Sequence, residues 1–397
     1  MYIFDVTSSL LLYTQQATLS GLLFAQSHHQ ETMAPIRVGI IGLSATSSWA
    51  VQAHLPYLRK STKYEIAGVC NSSVESSSAA IKAHNLPETT KAYGSVADLS
   101  ANPDIDLVVC AVRVDRHYEC LKPAIAAGKD CFVEWPLASN LEQASELLQL
   151  AEAKGVKTMV GLQGQVGPLV KRVKGLVNEE KAIGRVLSST LSLATGLSTD
   201  VTFEGYEYLN FAETGGNMLV IPFGHLYDSV SYVLGELQSV SATLSTQQKD
   251  VTVKAKDGTT VKTIERTTAD HITTSGLLES GAHSSAVVYG RGPNKGEPAV
   301  LWQIEGDKST LEIRSDNAFA VSMSGEMKIR LQDHASGDVK DIEFTEDQPG
   351  PPGNIGRLYE AFANGQSYPD WKWAVKRHAW VNALYESDRS GKRASYL

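Results

Sequence analysis

A chain of 397 residues, 42% hydrophobic and 20% charged, carries enough apolar matter for two folded cores and too much for a disordered polymer. Its net charge of −8 leaves no broad basic surface to neutralise phosphates, which argues against direct nucleic-acid binding. The four cysteines, Cys70, Cys110, Cys120 and Cys131, show neither C-x-x-C nor zinc spacing, and three lie within or at the end of apolar runs. Buried thiols in a reducing compartment fit that pattern, and no metal site is expected.

Residues 1–33 include a moderately apolar stretch broken by Gln, Thr and Ser, too interrupted to span a bilayer and without the basic start of a secretory signal. They read as a disordered or added extension. From Pro35 the runs IRVGII, YEIAGVC, IDLVVCAV, DCFVE and VKTMVGL predict buried strands. Helix-spaced segments Ser48–Arg59, Val74–His84, His117–Ala127 and Leu141–Lys154 fall between them. That alternation predicts a doubly wound parallel sheet over 34–163.

After Gln163 the rhythm changes. A helix over Pro168–Asn178 precedes a half-exposed strand in GRVLSSTLSLATG, and a second helical stretch surrounds Gly216–Leu234. The segments LQSVSATLSTQ, DHITTSGLLES, HSSAVVYGRG, VLWQIEGD, STLEIRSD, FAVSMS and MKIRLQ then read as consecutive strands. Residues 164–397 are therefore expected to form an α+β unit: an open, mostly antiparallel sheet of about six strands with helices on one face. Two helices, Ile355–Asn364 and Trp371–Ser387, close the chain. Leu191, Leu193, Val287 and Val288 either face a second copy through the open sheet or face the unit's own helices.

The turn after the first strand runs Gly42, Leu43, Ser44, Ala45, Thr46, Ser47, Ser48. Small residues at a strand-to-helix turn let backbone approach a pyrophosphate, which then sits on free N–H groups at the helix start. Only the first glycine of a G-x-G-x-x-G fingerprint is present, and Ser44 and Ser48 are candidate hydroxyl donors. Gly42, Leu43, Ser44, Ala45, Ser48 and Trp49 form the expected phosphate end. Asn71, Ser72 and Ser73 stand where an acid would bind the adenosine ribose. Without that acid a 2′-phosphate is not repelled, yet no arginine adjoins to attract it; NAD and NADP both stay open, with a lean toward NADP. Gln163 falls at a strand end facing the same cleft.

The segments VGIIGL, AVRVDRHYECLKPAIAAGKDCFVEWPLASN and GGNMLVIPFGHLYD, with the closing YESDRSGK, carry a resemblance to the Gfo/Idh/MocA oxidoreductase family over about Pro35–Leu397. The details GLSATSSWA, FVEWPLA, GLQGQ and PFGH look closest to its fungal branch, which includes the galactose-regulon repressors of yeasts. The resemblance implies a dinucleotide-binding domain joined to an open-sheet domain, with His117 and Glu134 near the cofactor. Family enzymes usually carry E-K-P where this chain has Glu134, Trp135, Pro136, and D-x-G-x-H where it has Ile221 to His225. An indole N–H donates but does not titrate, so Trp135 either fills the lysine's space or stacks on a ring. His225, paired with Asp228 one helical turn on, is left to carry a proton, with Tyr206, Tyr208 and Tyr227 as possible helpers. His54 reads as structural.

Two functions follow. One is an NAD(P)-dependent oxidoreductase of a sugar-like or secondary-metabolite alcohol or carbonyl, using His225, Asp228 and Trp135 in the cleft. The alternative is a non-catalytic, dinucleotide-binding regulator that acts through a protein partner such as a transcriptional activator. Either is expected to be a cytoplasmic homo-oligomer without membrane contact, with the nucleus open to the regulator.

Overall fold

Short β-branched runs, each too apolar to leave a face in water, assemble into a six-stranded parallel sheet in the computed structural model, which describes residues 34–397. The reading of residues 1–33 lies outside the described residues. The strands are β1 (Ile36–Ile41), β2 (Tyr64–Cys70), β3 (Lys91–Tyr93), β4 (Leu107–Cys110), β5 (Asp130–Glu134) and β6 (Thr158–Gly161), in the order β3-β2-β1-β4-β5-β6. A π-helical turn, Ala50–His54, leads into α1 (Leu55–Leu58); α2 (Val74–Ala83), α3 (Val96–Ala101), α4 (His117–Ala126) and α5 (Leu141–Lys154) follow. Side chains of Ser73, Ser95 and Asn140 cap α2, α3 and α5, and Gly155 ends α5 at φ 65°. Strand order reverses direction at β1 and β4, opening a crevice at their C-terminal ends.

Past β6 come α6 (Pro168–Lys174), β7 (Val186–Ala194) and β8 (Val201–Phe203), then a π-helical turn, Leu219–Phe223, that continues into α7 (Gly224–Leu234). The remaining strands are β9 (Leu237–Ser245), β10 (Asp250–Lys254), β11 (Thr260–Glu265), β12 (His271–Leu278), β13 (His283–Tyr289), β14 (Val300–Gly306), β15 (Ser309–Ser315), β16 (Lys328–Asp333) and β17 (Val339–Ile342). Eight of these form one sheet in the order β17-β16-β15-β14-β7-β13-β12-β9, parallel only between β7 and β13. The other three, β11-β10-β8, form a separate small sheet.

The large sheet thus has eight strands where about six were expected. FAVSMS is not one of them: residues 318–324 form a turn. Leu191, Leu193 and Val288 are buried at 4%, 0% and 0% exposure and share one core with Val230, Val233 and Trp380 of the covering helices. Of the four apolar positions weighed for the outer face, only Val287 is partly exposed. That face carries Thr190, Thr273 and Ser285, because alternation along each strand sends polar residues outward.

The last two helices, α8 (Pro351–Ala363) and α9 (Trp371–Ser390), return to the first sheet. Ile355, Leu358 and Tyr359 join Val38, Ile40 and Phe132 in the core beneath it. The segment between the helices covers the free edge of β6, with Val160 N–H donating to the Pro369 carbonyl at 3.0 Å and the Trp371 indole to the Met159 carbonyl at 3.1 Å. Pro35–Leu397 consequently forms one compact unit, and the cleft lies inside it.

Candidate functional site

The crevice at the strand ends is built first by Gly42. Its φ is +97°, and a Cβ there would lie 2.7 Å from Val112 Cγ1 and 2.8 Å from the Ala111 carbonyl. Only glycine lets β1 turn this close to β4. The hydroxyls of the turn then take up N–H groups of the turn itself: Ser48 Oγ accepts from Ser44 and Val51 N–H at 3.4 Å each, and Ser44 Oγ accepts from Thr46 N–H at 3.1 Å. The Ser48 hydroxyl keeps its own proton for donation, while Ser44 Oγ lies 3.2 Å from Thr46 Oγ1. Leu43 is fully buried in the core, so that only its backbone belongs to the turn, whereas Ala45 is partly exposed.

Asn71 works as a clamp. Its amide donates to the Leu43 carbonyl at 2.9 Å, tying the end of β2 to the turn, while Ser72 stands exposed beside it. Neither residue supplies a carboxylate.

Across the crevice lies a cleft with a cavity volume of about 240 Å³. Trp49, Val112, His117, Glu134, Trp135 and Gln163 contribute to its first-sheet side, and Tyr208, Ile221, His225, Phe319 and Met323 to the other. Three residues of this lining carry a buried polar atom that lacks a hydrogen-bond partner: Trp49 Nε1, Gln163 Oε1 and His225 Nδ1. Unpaired buried polar atoms each cost about 1–3 kcal/mol, and three around one cavity mark a place where a polar ligand completes the structure. A donor from Trp49 and an acceptor from Gln163 match a carboxamide such as that of nicotinamide.

Glu134 is held from behind. His54 Nε2 lies 2.8 Å from Glu134 Oε1, and His54 Nδ1 lies 2.8 Å from the Tyr359 hydroxyl. One tautomer satisfies all three groups: Tyr359 O–H donates to Nδ1, and Nε2–H donates to the carboxylate. His54, read from sequence as merely packing, thus fixes the orientation of a cleft carboxylate. Gly161 makes the room, since a Cβ there would lie 2.6 Å from Glu134 Oε2.

Trp135 is 4% exposed and donates its indole N–H to the Val220 carbonyl at 2.7 Å. The approach crosses Gly224, where a Cβ would sit 2.9 Å from the indole nitrogen. With its one donor spent, Trp135 offers the cleft a hydrophobic surface and no proton. His117 is similarly occupied: Nδ1 and Nε2 lie 2.9 and 3.0 Å from the Pro136 and Val112 carbonyls, and burial pulls its pKa down despite them. It anchors the loop after β4 and has no nitrogen free for a ligand.

His225 follows the π-helical turn that ends at Phe223. Burial lowers its pKa to about 4, with the Glu134 charge acting the other way, so the ring is neutral at pH 7. The expected His225–Asp228 pair does not form. Asp228 turns into the core, where it accepts from Gln165 Nε2 at 3.0 Å and Trp373 Nε1 at 2.6 Å, and burial raises its pKa to about 6. Two neutral donors outcompete an imidazole whose protonation the same burial disfavours. Of the three tyrosines, Tyr208 reaches the cleft; Tyr206 is 59% exposed and Tyr227 stacks on Trp380 at 4.4 Å.

Sequence reasoning missed Arg113, Phe319, Ser322 and Met323. Arg113 sits against Tyr208, 5.1 Å from the ring centroid, with its guanidinium engaged by Asp115. Its position just after β4 was the available signal, by the same strand-end rule that picked out Gln163.

Residues 36–162 match the family model described as an oxidoreductase family with an NAD-binding Rossmann fold, and residues 168–315 match the Gal80p C-terminal domain. The chain is 31% identical to the dehydrogenase aclE of Aspergillus oryzae over 386 residues, covering 91% of this chain and 98% of that protein. Among solved structures, the transcriptional regulator Gal80p of Kluyveromyces lactis superposes with a TM-score of 0.82 at 26% identity, over 91% of this chain and 94% of that one. Levoglucosan dehydrogenase, solved with NADH and L-sorbose, shares the fold at a TM-score of 0.74 and 18% identity over 92% and 100% of the two chains.

Proposed function

This chain belongs to the Gfo/Idh/MocA oxidoreductase family with its NAD-binding Rossmann fold, and within that family we propose that it is a nicotinamide-dependent dehydrogenase or reductase in which His225 carries the proton. The observation that supports this most is that Trp49, Gln163 and His225, each with an unpaired buried polar atom, line one cleft together with Glu134. When bound, the nicotinamide supplies the hydride acceptor or donor. Trp49 and Gln163 are suited to hold its carboxamide, and Trp135 excludes water on the side where family enzymes carry a lysine.

For oxidation of an alcohol, a bound nicotinamide would supply the hydride acceptor, and neutral His225 would take the hydroxyl proton as the carbonyl forms. Glu134 lies close enough to favour the imidazolium that results. Reduction runs the same steps in reverse. With no acid at Asn71 or Ser72 and no arginine beside them, NADH and NADPH are expected to bind within about tenfold of one another, since neither attraction nor repulsion at the ribose dominates. Titration of cofactor fluorescence with each measures this.

His225→Gln is expected to lower kcat by about a hundredfold or more while leaving cofactor affinity unchanged, as loss of general acid–base assistance does. Turnover that survives the substitution would overturn the mechanism. A second reading, a dinucleotide-binding regulator, is favoured by one feature: Trp135 and Ile221 replace both ionisable groups that the family's enzymes use, alongside the Gal80p-type C-terminal match. Cofactor binding without oxidation across a broad substrate panel would select it.

A further inference from the structure

We infer that the ligand taken by this cleft beside the cofactor is a flat, largely apolar alcohol or carbonyl with an aryl body, in preference to a polyhydroxylated sugar; this rests on the dehydrogenase reading above. The apolar part of the lining is made by Trp135, Val114, Ile221, Phe319 and Met323. None of them offers the cleft a hydrogen bond, because the Trp135 N–H already goes to Val220. Some polar side chains nearby are committed: both His117 nitrogens lie against backbone carbonyls, Ser322 Oγ donates to the Phe319 carbonyl at 3.1 Å, and Arg113 gives Nε and Nη2 to Asp115.

With Trp49 and Gln163 directed to the carboxamide, His225, the Tyr208 hydroxyl, the second oxygen of Glu134 and Arg113 Nη1 are what remain for a substrate. These are fewer than the hydroxyls of a pyranose or cyclitol. A pyranose or cyclitol carries a hydroxyl on nearly every ring carbon, and each one buried without a partner costs about 1–3 kcal/mol. An aryl ring against the Trp135, Ile221 and Phe319 surface leaves nothing unpaired and buries apolar area on both sides.

The test compares kcat/KM for oxidation of 1-phenylethanol with that for glucose and myo-inositol, using NAD and NADP, on the wild type and on Ile221→Asp and Phe319→Ala. The expected result is a preference of at least about tenfold for the aryl alcohol, reduced about tenfold in either variant, a difference typical of one group in an apolar pocket. Phe319 lies in a partly exposed turn, which keeps the test decisive if Ile221→Asp does not fold. In parallel, calorimetry measures binding of 1-phenylethanol and of glucose to the protein–NADH complex. Better turnover of a sugar would overturn the inference and leave the dehydrogenase reading intact. Absence of all turnover with selective binding of the aryl alcohol would sustain it while defeating that reading. Binding of neither class, or of glucose alone, would overturn it.

Discussion

His225 and Glu134 show how burial and orientation set the chemistry of single side chains. With a pKa near 4, His225 is a neutral proton acceptor across the working range. If it is the base, kcat/KM for alcohol oxidation is expected to stay level from pH 8 to about 5 and to fall on acidification toward 4; an inflection near the ordinary histidine value would place the base elsewhere. Behind Glu134, Tyr359→Phe removes the donor to His54 Nδ1 and leaves a buried nitrogen unpaired. A destabilisation of about 1–3 kcal/mol is expected, read as a lower midpoint in urea. None of this could be read from sequence, because Tyr359 lies 305 residues from His54 and only the return of α8 to the first sheet brings them together.

At the level of elements, two of the three π-helical turns among the described residues lie where the site histidines are: one ends at His54, and another ends two residues before His225, while the third, Gly175–Glu179, lies away from the cleft lining. Such turns recur at functional positions because they redirect side chains out of the α-helical register. The parallel strands and most helices were legible, since buried runs and capped amphipathic stretches leave periodic patterns. Strand β3 and helix α3, of three and six residues, are too short to show one. FAVSMS alternates like a strand, yet bends into a turn between Ser315 and Lys328, and the error hid Phe319 and Met323 from the site. The Asp228 assignment failed because spacing on a helix says nothing about the donors waiting on a neighbouring one. Gly224→Ala, at the crossing of α7 and Trp135, is expected to cost about 1–3 kcal/mol through overpacking and to perturb the cleft; an unchanged thermal midpoint would contradict the close approach described here.

Over the whole molecule, buried ionisable groups link stability to pH in opposing directions. His225 and His378 are held neutral, with pKa values lowered to about 4 and about 3 by burial. As pH falls below 6.5 the unfolded chain takes up their protons first, so their contribution is complete above 6.5 and declines on acidification through that window. Asp228, raised to about 6, works the other way: the folded state holds its proton more tightly, and that contribution is lost as pH rises from about 4 to 6. Asp228→Asn should therefore gain stability relative to the wild type between pH 4 and 7, which urea midpoints at the two pH values measure; a difference that is constant or reversed would refute the assignment. The same compactness that buries these groups encloses the cleft between the two sheets, and its content is what matters most. The most direct test is a single-turnover experiment with NADH bound to the wild type and to His225→Gln, following absorbance at 340 nm on addition of an aryl ketone. Stoichiometric oxidation by the wild type, with equal cofactor binding but at least about a hundredfold slower oxidation by the variant, is the expected result; equal rates in the two proteins, or no NADH bound by either, would contradict it.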